Sequence, residues 1–230
     1  MKSQNNAYLN EINGNYSAPI IVKTNLHDWH GNNKTNINRK RLEYISADGP
    51  RLTSLVQFPP GCAFAKCTHD RGEEFLVLTG DFSNNGKTYE PGTYVRNPPH
   101  TKFTSATKNG CTLLFKTGQF QKLDNKRVVV HVADHENLWE STHEPGVSRA
   151  QLHQFLDETV SLYKIRPQCW ATFRQYTHSI EILVCDGAVT ADGIKYTTGT
   201  WFRYPPNSQI KITSITSVCL YVKKGKMHIK

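Results

Sequence analysis

The chain has 230 residues, of which 37% are hydrophobic, 10% aromatic and 20% charged; it is long enough to bury a core, and it is neither a disordered tail nor a collagen-like rod. The net charge of +9, from 28 Lys+Arg against 19 Asp+Glu, raises nucleic acid as a partner, but the basic residues are scattered. Arg39-Lys40-Arg41 and the tail Lys223, Lys224, Lys226 and Lys230 cluster without interleaved aromatics, so the charge reads as solvated surface and no specific nucleic-acid partner is expected. No apolar run approaches the roughly 20 residues of a membrane span, and MKSQNNAYLN lacks the apolar segment of a secretory signal. A soluble, cytoplasmic protein with no membrane association is expected. The six cysteines form no C-x-x-C pair, so reduced thiols, mostly packing as small hydrophobes, are the default.

In chain order, residues 1–25 read as an arm rich in Asn and Ser that ends in the strand-like Ile20-Ile21-Val22. Two units follow, 26–125 and 126–230, because the chain repeats itself. Residues 52–118 shifted by 107 positions match 159–225 with 18 identities in 67 ungapped positions, where chance gives about four. The shared positions are strand and turn residues: Leu76-Val77 with Leu183-Val184, Gly80 with Gly187, Tyr89 with Tyr196, Gly92-Thr93 with Gly199-Thr200. Arg96 and Pro98-Pro99 recur as Arg203 and Pro205-Pro206. Short β-rich runs broken by Gly, Pro, Asn85-Gly86 and Asp192-Gly193 predict antiparallel hairpins of a sandwich or barrel.

One segment resists this pattern. Residues 148–162 carry Leu152, Phe155, Leu156 and Val160 at helical spacing. With a shift of 110, however, Trp29, Arg39 and Leu42 fall on Trp139, Arg149 and Leu152, and the first-repeat counterpart contains Asp48-Gly49-Pro50, which forbids a helix. Two strands joined by a hairpin three residues shorter are therefore predicted.

In the first repeat Gly61, Cys67, His69, Glu73 and Gly80 keep the spacing G-x5-H-x-H-x3-E-x6-G of the first cupin motif, with Cys67 in place of the first His. Residues 72–99, followed by Asn109-Gly110-Cys111 and Lys116, resemble the ChrR-like cupins more narrowly, and the likeness runs from about 29 to 118 and again from 139 to 225. The resemblance implies an all-β bicupin, two jelly-roll barrels (double-stranded β-helices) in tandem. It also implies a divalent metal at the barrel mouth, held by the H-x-H pair, the Glu, and a His five residues after the Pro-Pro pair begins.

Cys67, His69 and Glu73 share parity and so one face of the strands. Thiolate, imidazole and carboxylate together suit zinc, with iron, nickel or manganese as alternatives, or no metal at all if Cys67 only packs. The fourth ligand position is Phe103, which cannot bind a metal; His100, three residues earlier, substitutes only if its loop is rearranged. In the second repeat Cys67, His69, Glu73 and Phe103 become Arg174, Tyr176, Ile180 and Ile210, and no metal site survives. His131, His135 and Glu136 follow 128–130 and read as surface residues; His27 and His30 flank Trp29 with nothing else converging on them, and no metal is expected there.

Two functions are expected from the resemblance. The first is a regulatory or small-molecule-sensing bicupin that lacks the zinc-binding anti-sigma domain of ChrR, since no His-x3-Cys-x2-Cys motif is present. The second is a metal-dependent dioxygenase acting on a small diketone or phenolic ketone. Which residues would be catalytic stays unknown at this stage, and a homo-oligomer is compatible with either.

Overall fold

Alternation along the strands builds both a core and an interface. In Glu73–Gly80, Glu73, Phe75 and Val77 point to one side and Glu74 and Leu76 to the other, and all five are buried. A strand buried on both faces must lie between two packed layers. The computed structural model describes residues 11–31, 36–46, 50–133, 135–175 and 177–225, with 66, 67 and 175 described by their backbone alone. Among these, helix is confined to two 3-10 turns, Thr24–Leu26 and Glu136–Leu138.

Each repeat forms a seven-stranded antiparallel sheet facing a four-stranded one. The large sheet of the first barrel runs, in spatial order, Val128–His131, Thr93–Asn97, Glu73–Gly80, Cys111–Thr117, Arg51–Phe58, Asn38–Ile45 and His30–Gly31. That of the second runs Ile20–Lys23, Thr200–Tyr204, Ser179–Asp186, Val218–Gly225, Glu158–Ile165, Val147–Phe155 and Trp139–Ser141. The small sheets contain Ala63–Thr68, Lys102–Ala106, Phe82–Asn84 and Lys87–Tyr89 in the first barrel. Their second-barrel counterparts are Trp170–Gln175, Ser208–Ser214, Ala188–Ala191 and Ile194–Thr197. Both predicted Asx-Gly turns close hairpins with positive φ at each central residue, Asn85 and Gly86 at 53° and 76°, Asp192 and Gly193 at 50° and 75°.

The helix-like segment 148–162 is two strands, Val147–Phe155 and Glu158–Ile165, turned at Leu156 with φ 50°. The ladder slips at Leu152, as it slips at Leu42 in the first repeat. Its helical periodicity arises because Leu152 and Val160 both face the inter-barrel core, while Leu156 is an exposed turn residue.

The arms are exchanged. Ile20–Lys23, from the N-terminal arm, pairs with Thr200–Tyr204 of the second barrel, Ile20 opposite Arg203. Val128–His131, from the inter-repeat segment, pairs with Thr93–Asn97 of the first, Val128 opposite Arg96. Each repeat thus donates its leading strand to the other's sheet.

Inner faces fill the barrels, around Phe75, Val95 and Leu113 in the first and Ile182, Phe202 and Leu220 in the second. Outer faces of the large sheets pack together around Leu76, Leu114, Leu183, Trp201 and Tyr221. Full burial of side chains of this size contributes roughly 1.5–3 kcal/mol each. Five acids (Glu43, Glu74, Asp124, Glu158 and Glu181) and five bases (Arg51, Arg96, Lys116, Arg203 and Lys223) are buried with them. Buried charge persists only when paired, and here both arginines are: Arg96 binds Glu74 and Asp124, Arg203 binds Glu43. Phe120 stacks on Arg96 at 3.8 Å and Tyr16 on Arg203 at 3.9 Å.

Candidate functional site

His69 follows the strand Ala63–Thr68, and the chain turns back at once into Glu73–Gly80. The Gly72 amide donates to the His69 carbonyl at 3.0 Å with φ +74° at Gly72, where an added Cβ would stand 2.5 Å from the Phe120 ring. This turn sets His69 over the inward-facing Glu73. Nε2 of His69 lies 3.3 Å from Oε2 of Glu73, and Nδ2 of Asn97 donates to Oε1 of Glu73 at 2.8 Å. Arg127 Nε donates in turn to Asn97 Oδ1 at 3.1 Å, and its NH2 to the Tyr89 hydroxyl at 3.0 Å. The His69 ring is walled by Phe103 and Phe115, with centroids at 5.5 and 5.8 Å.

Electrostatics follow from this enclosure. Burial pushes the Glu73 carboxyl up to about 7, with the Asn97 hydrogen bond opposing it. Burial, aided by the Arg39 guanidinium and opposed by Asp70, lowers His69, which favours the neutral imidazole, the form that can ligate. His69 is more than one-third exposed and Glu73 2%, so the pair opens towards solvent at its imidazole end.

His69 and Glu73 are therefore brought together, but across the turn at residues 70–72 and from two different sheets, not on one face of a strand as their parity predicts. The Cys67 side chain lies outside the described residues; its backbone pairs with Phe103 across the ladder. Phe103 is buried at the fourth-ligand position. His100 does not join the pair. It follows Pro98-Pro99 with φ +65°, and its exposed imidazole faces Asp70, Nδ1 to Oδ1 3.8 Å. The rearrangement that would make it a ligand is absent because the turn aims the residue outwards. In the second barrel the positions of Glu73, Asn97 and Phe103 are filled by the buried Ile180, Tyr204 and Ile210, and Arg174 is exposed; Tyr176 lies outside the described residues.

The described residues contain one further group whose donors could hold a metal: Asp124, His153 and Glu158, all buried, with ligand atoms within 4.8 Å of one another. Asp124 Oδ1 and Glu158 Oε1 lack hydrogen-bond partners of good geometry. Yet Arg96 NH2 stands 2.6 Å from Asp124 and 3.1 Å from Glu158, with Lys223 Nζ 3.4 Å from Glu158. A guanidinium and an ammonium already supply the positive charge there, so an ion fits only by displacing Arg96. Sequence reading missed this group because its members come from three separate segments. Its one legible signal is that the Arg and Lys holding it recur in both repeats, as Arg96/Arg203 and Lys116/Lys223.

The family model of the ChrR cupin-like domain matches the chain twice, at residues 17–121 and 125–228. No curated protein matches it by sequence. Among solved structures, a proposed dioxygenase from Nostoc punctiforme is similar at a TM-score of 0.73 and 13% identity, covering 93% of this chain and 84% of that one. A salicylate 1,2-dioxygenase variant from Pseudoaminobacter salicylatoxidans, in complex with gentisate, gives 0.65 and 11%, covering 91% and 82%. The pirin YhhW from Escherichia coli, in complex with nickel(II), gives 0.67 and 12%, covering 91% and 100%. At such identities the likeness concerns the fold.

Proposed function

The chain belongs to the ChrR cupin-like family, and we propose that it is a regulatory or small-molecule-sensing bicupin whose first barrel alone keeps a divalent-metal site, reduced to His69, Glu73 and Cys67. The 3.3 Å approach of His69 to Glu73 carries this reading. Two donors each about 2.1 Å from a tetrahedral ion stand about 3.4 Å apart, so the pair is spaced as two ligands of one ion. A thiolate from Cys67 would favour zinc, while imidazole and carboxylate also suit iron, nickel or manganese.

When bound, such an ion supplies a Lewis acid for an oxygen of a small ligand. The chain's own residues prepare the place. Asn97 fixes the Glu73 carboxylate from below, itself held by Arg127. Phe103 and Phe115 exclude water beside His69. Because Phe103 replaces a ligand, coordination positions are left for the incoming molecule.

The open donor set also favours a second reading, a metal-dependent dioxygenase acting on a small diketone or phenolic ketone, and the fold shared with dioxygenases supports it. Oxygen uptake by the iron-loaded protein, measured with a small β-diketone and with a phenolic ketone, separates the two. The sensing reading expects ligand binding without sustained oxygen consumption. Catalytic uptake that disappears in Glu73→Gln would replace it with the enzyme.

A further inference from the structure

Two sequence features remain unused by the barrel mouth, His27-x2-His30 and Arg39-Lys40-Arg41, and they meet at one cavity of about 490 Å³ beside the first barrel. His30 and Arg39 are directly opposed in the antiparallel ladder, and Arg39 is opposed in turn to Val56, a core residue of that barrel. Directly opposed residues share a face, so His30 and Arg39 stand side by side, and Arg41 shares their face two residues on.

Lys40 points the other way, where Nζ donates to the Thr24 carbonyl at 2.8 Å and lies 4.6 Å over the Trp29 ring. That anchor fixes the strand and hence the direction of Arg39 and Arg41. Arg39 is half-buried, and among the described residues no ion pair involves it or Arg41. Burial, then the charge of Arg41, lowers the Arg39 pKa. Asp28 is the one acid among the described residues that line the cavity. Arg41 is exposed beside the half-buried Arg39, and one aspartate leaves the cavity with a net positive charge, which an anion seated there offsets.

We infer that this cavity binds a small molecule carrying a doubly charged oxyanion, a phosphomonoester being the class that fits. Two guanidinium forks match the two charges of a phosphate, and a single carboxylate would neutralise one. Ile12, Val22 and Ile37 in the wall offer apolar surface to the organic part, and the volume suits a small ligand. Neither His69 nor Glu73 lines this cavity; the Arg39 charge reaches His69, but the proposal needs no metal there.

Calorimetric titration of the full chain at pH 7 and low salt, with inorganic phosphate, glycerol 1-phosphate and succinate, tests it. Saturable binding of phosphate, tighter binding of the phosphomonoester, and at least a roughly tenfold loss in Arg39→Gln and in Arg41→Gln are expected. Lys122→Gln, on a different surface, leaves binding unchanged. No saturable binding of either phosphate, binding that survives both substitutions, or tighter binding of succinate would overturn the assignment. Should a variant fail to fold, phosphate-induced amide shifts in the unmodified protein decide: shifts at His27, His30 and Arg41 support the site, and shifts elsewhere contradict it.

Discussion

Lys116 of the first barrel is hydrogen-bonded across the interface to Glu181 of the second, Nζ to Oε2 2.6 Å, and 107 positions on Lys223 returns the contact to Glu74. All four are 1% exposed. The partners are matched too: Trp201 Nε1 donates to Glu181 at 2.7 Å, and Tyr94, its counterpart, donates to Glu74 at 2.6 Å. The two barrels are thus tied by a crossed pair of lysine–glutamate bonds, set in an apolar layer that gives each bond little competition from water.

Removing one member should cost more than removing both. Lys116→Met leaves Glu181 buried with its main counter-charge gone, and a loss of about 3–5 kcal/mol is expected. The double variant Lys116→Met/Glu181→Gln recovers a large part of it. Urea denaturation of the two singles and the double, read as a double-mutant cycle, checks this; a double-variant cost equal to the sum of the two single costs would show the pair to be uncoupled.

The same network makes the protein acid-sensitive. Burial alone would raise Glu74, but Lys223, Arg96 and Lys116 hold it well below the usual carboxylate range; Glu43 is lowered against its burial by Arg51, Lys116 and Arg203. Burial, then Arg96, lowers His153. In each case the unfolded chain binds a proton that the native chain does not. Stability contributed by His153 is therefore present above pH 6.5 and is lost below it, and that from Glu43 and Glu74 is lost as pH falls below about 4.5. Thermal unfolding from pH 8 to pH 3.5 should show a shallow decline followed by a steep one. His153→Gln should make the first decline shallower without abolishing it, since burial lowers His69 too and Glu73, raised to about 7, acts in the opposite direction.

Hydrogen exchange reads the arm exchange directly. Deleting residues 1–23 uncovers one edge of Thr200–Tyr204, so amides there should exchange at least roughly tenfold faster as their partners are lost. Thr93–Asn97, covered by Val128–His131, should keep its protection. Faster exchange in Thr93–Asn97 instead would place the N-terminal strand on the other barrel.

Glycines with the same backbone angle differ in tolerance. At Gly80, φ +76°, an added Cβ would lie 1.9 Å from the Gly110 carbonyl oxygen, whereas at Gly86, also φ +76°, nothing lies within 4 Å. Gly86→Ala should cost about 1 kcal/mol for the left-handed backbone alone, and Gly80→Ala about 3 kcal/mol or more because backbone must move. Denaturant midpoints of the two variants test the ranking.

Much of this was legible before any coordinates. The repeat at 107 predicted the paired barrels, the shift of 110 resolved 148–162 into two strands against its own periodicity, and the motif spacing picked out His69 and Glu73, although they meet across a turn from two sheets rather than on one face. The arm exchange was not legible, because Ile20-Ile21-Val22 carries strand propensity without any mark of which sheet it joins. Glu74, Arg96 and Lys116 recur identically in the second repeat, but a charged residue between apolar neighbours on a strand usually faces solvent. A second sheet against that face reverses the rule. His100 illustrates the opposite limit: its distance from Pro98 along the chain is readable, while the positive φ that turns it outwards is a local backbone choice.

The metal content of the protein purified without added metal tests the central claim most directly. Near-stoichiometric first-row metal in the unmodified chain, lost in His69→Ala and in Glu73→Gln but retained in His153→Gln, is the predicted result. Metal that survives His69→Ala and disappears with His153→Gln would move the site to the barrel interface, and a chain that purifies with no metal at all would contradict the claim outright.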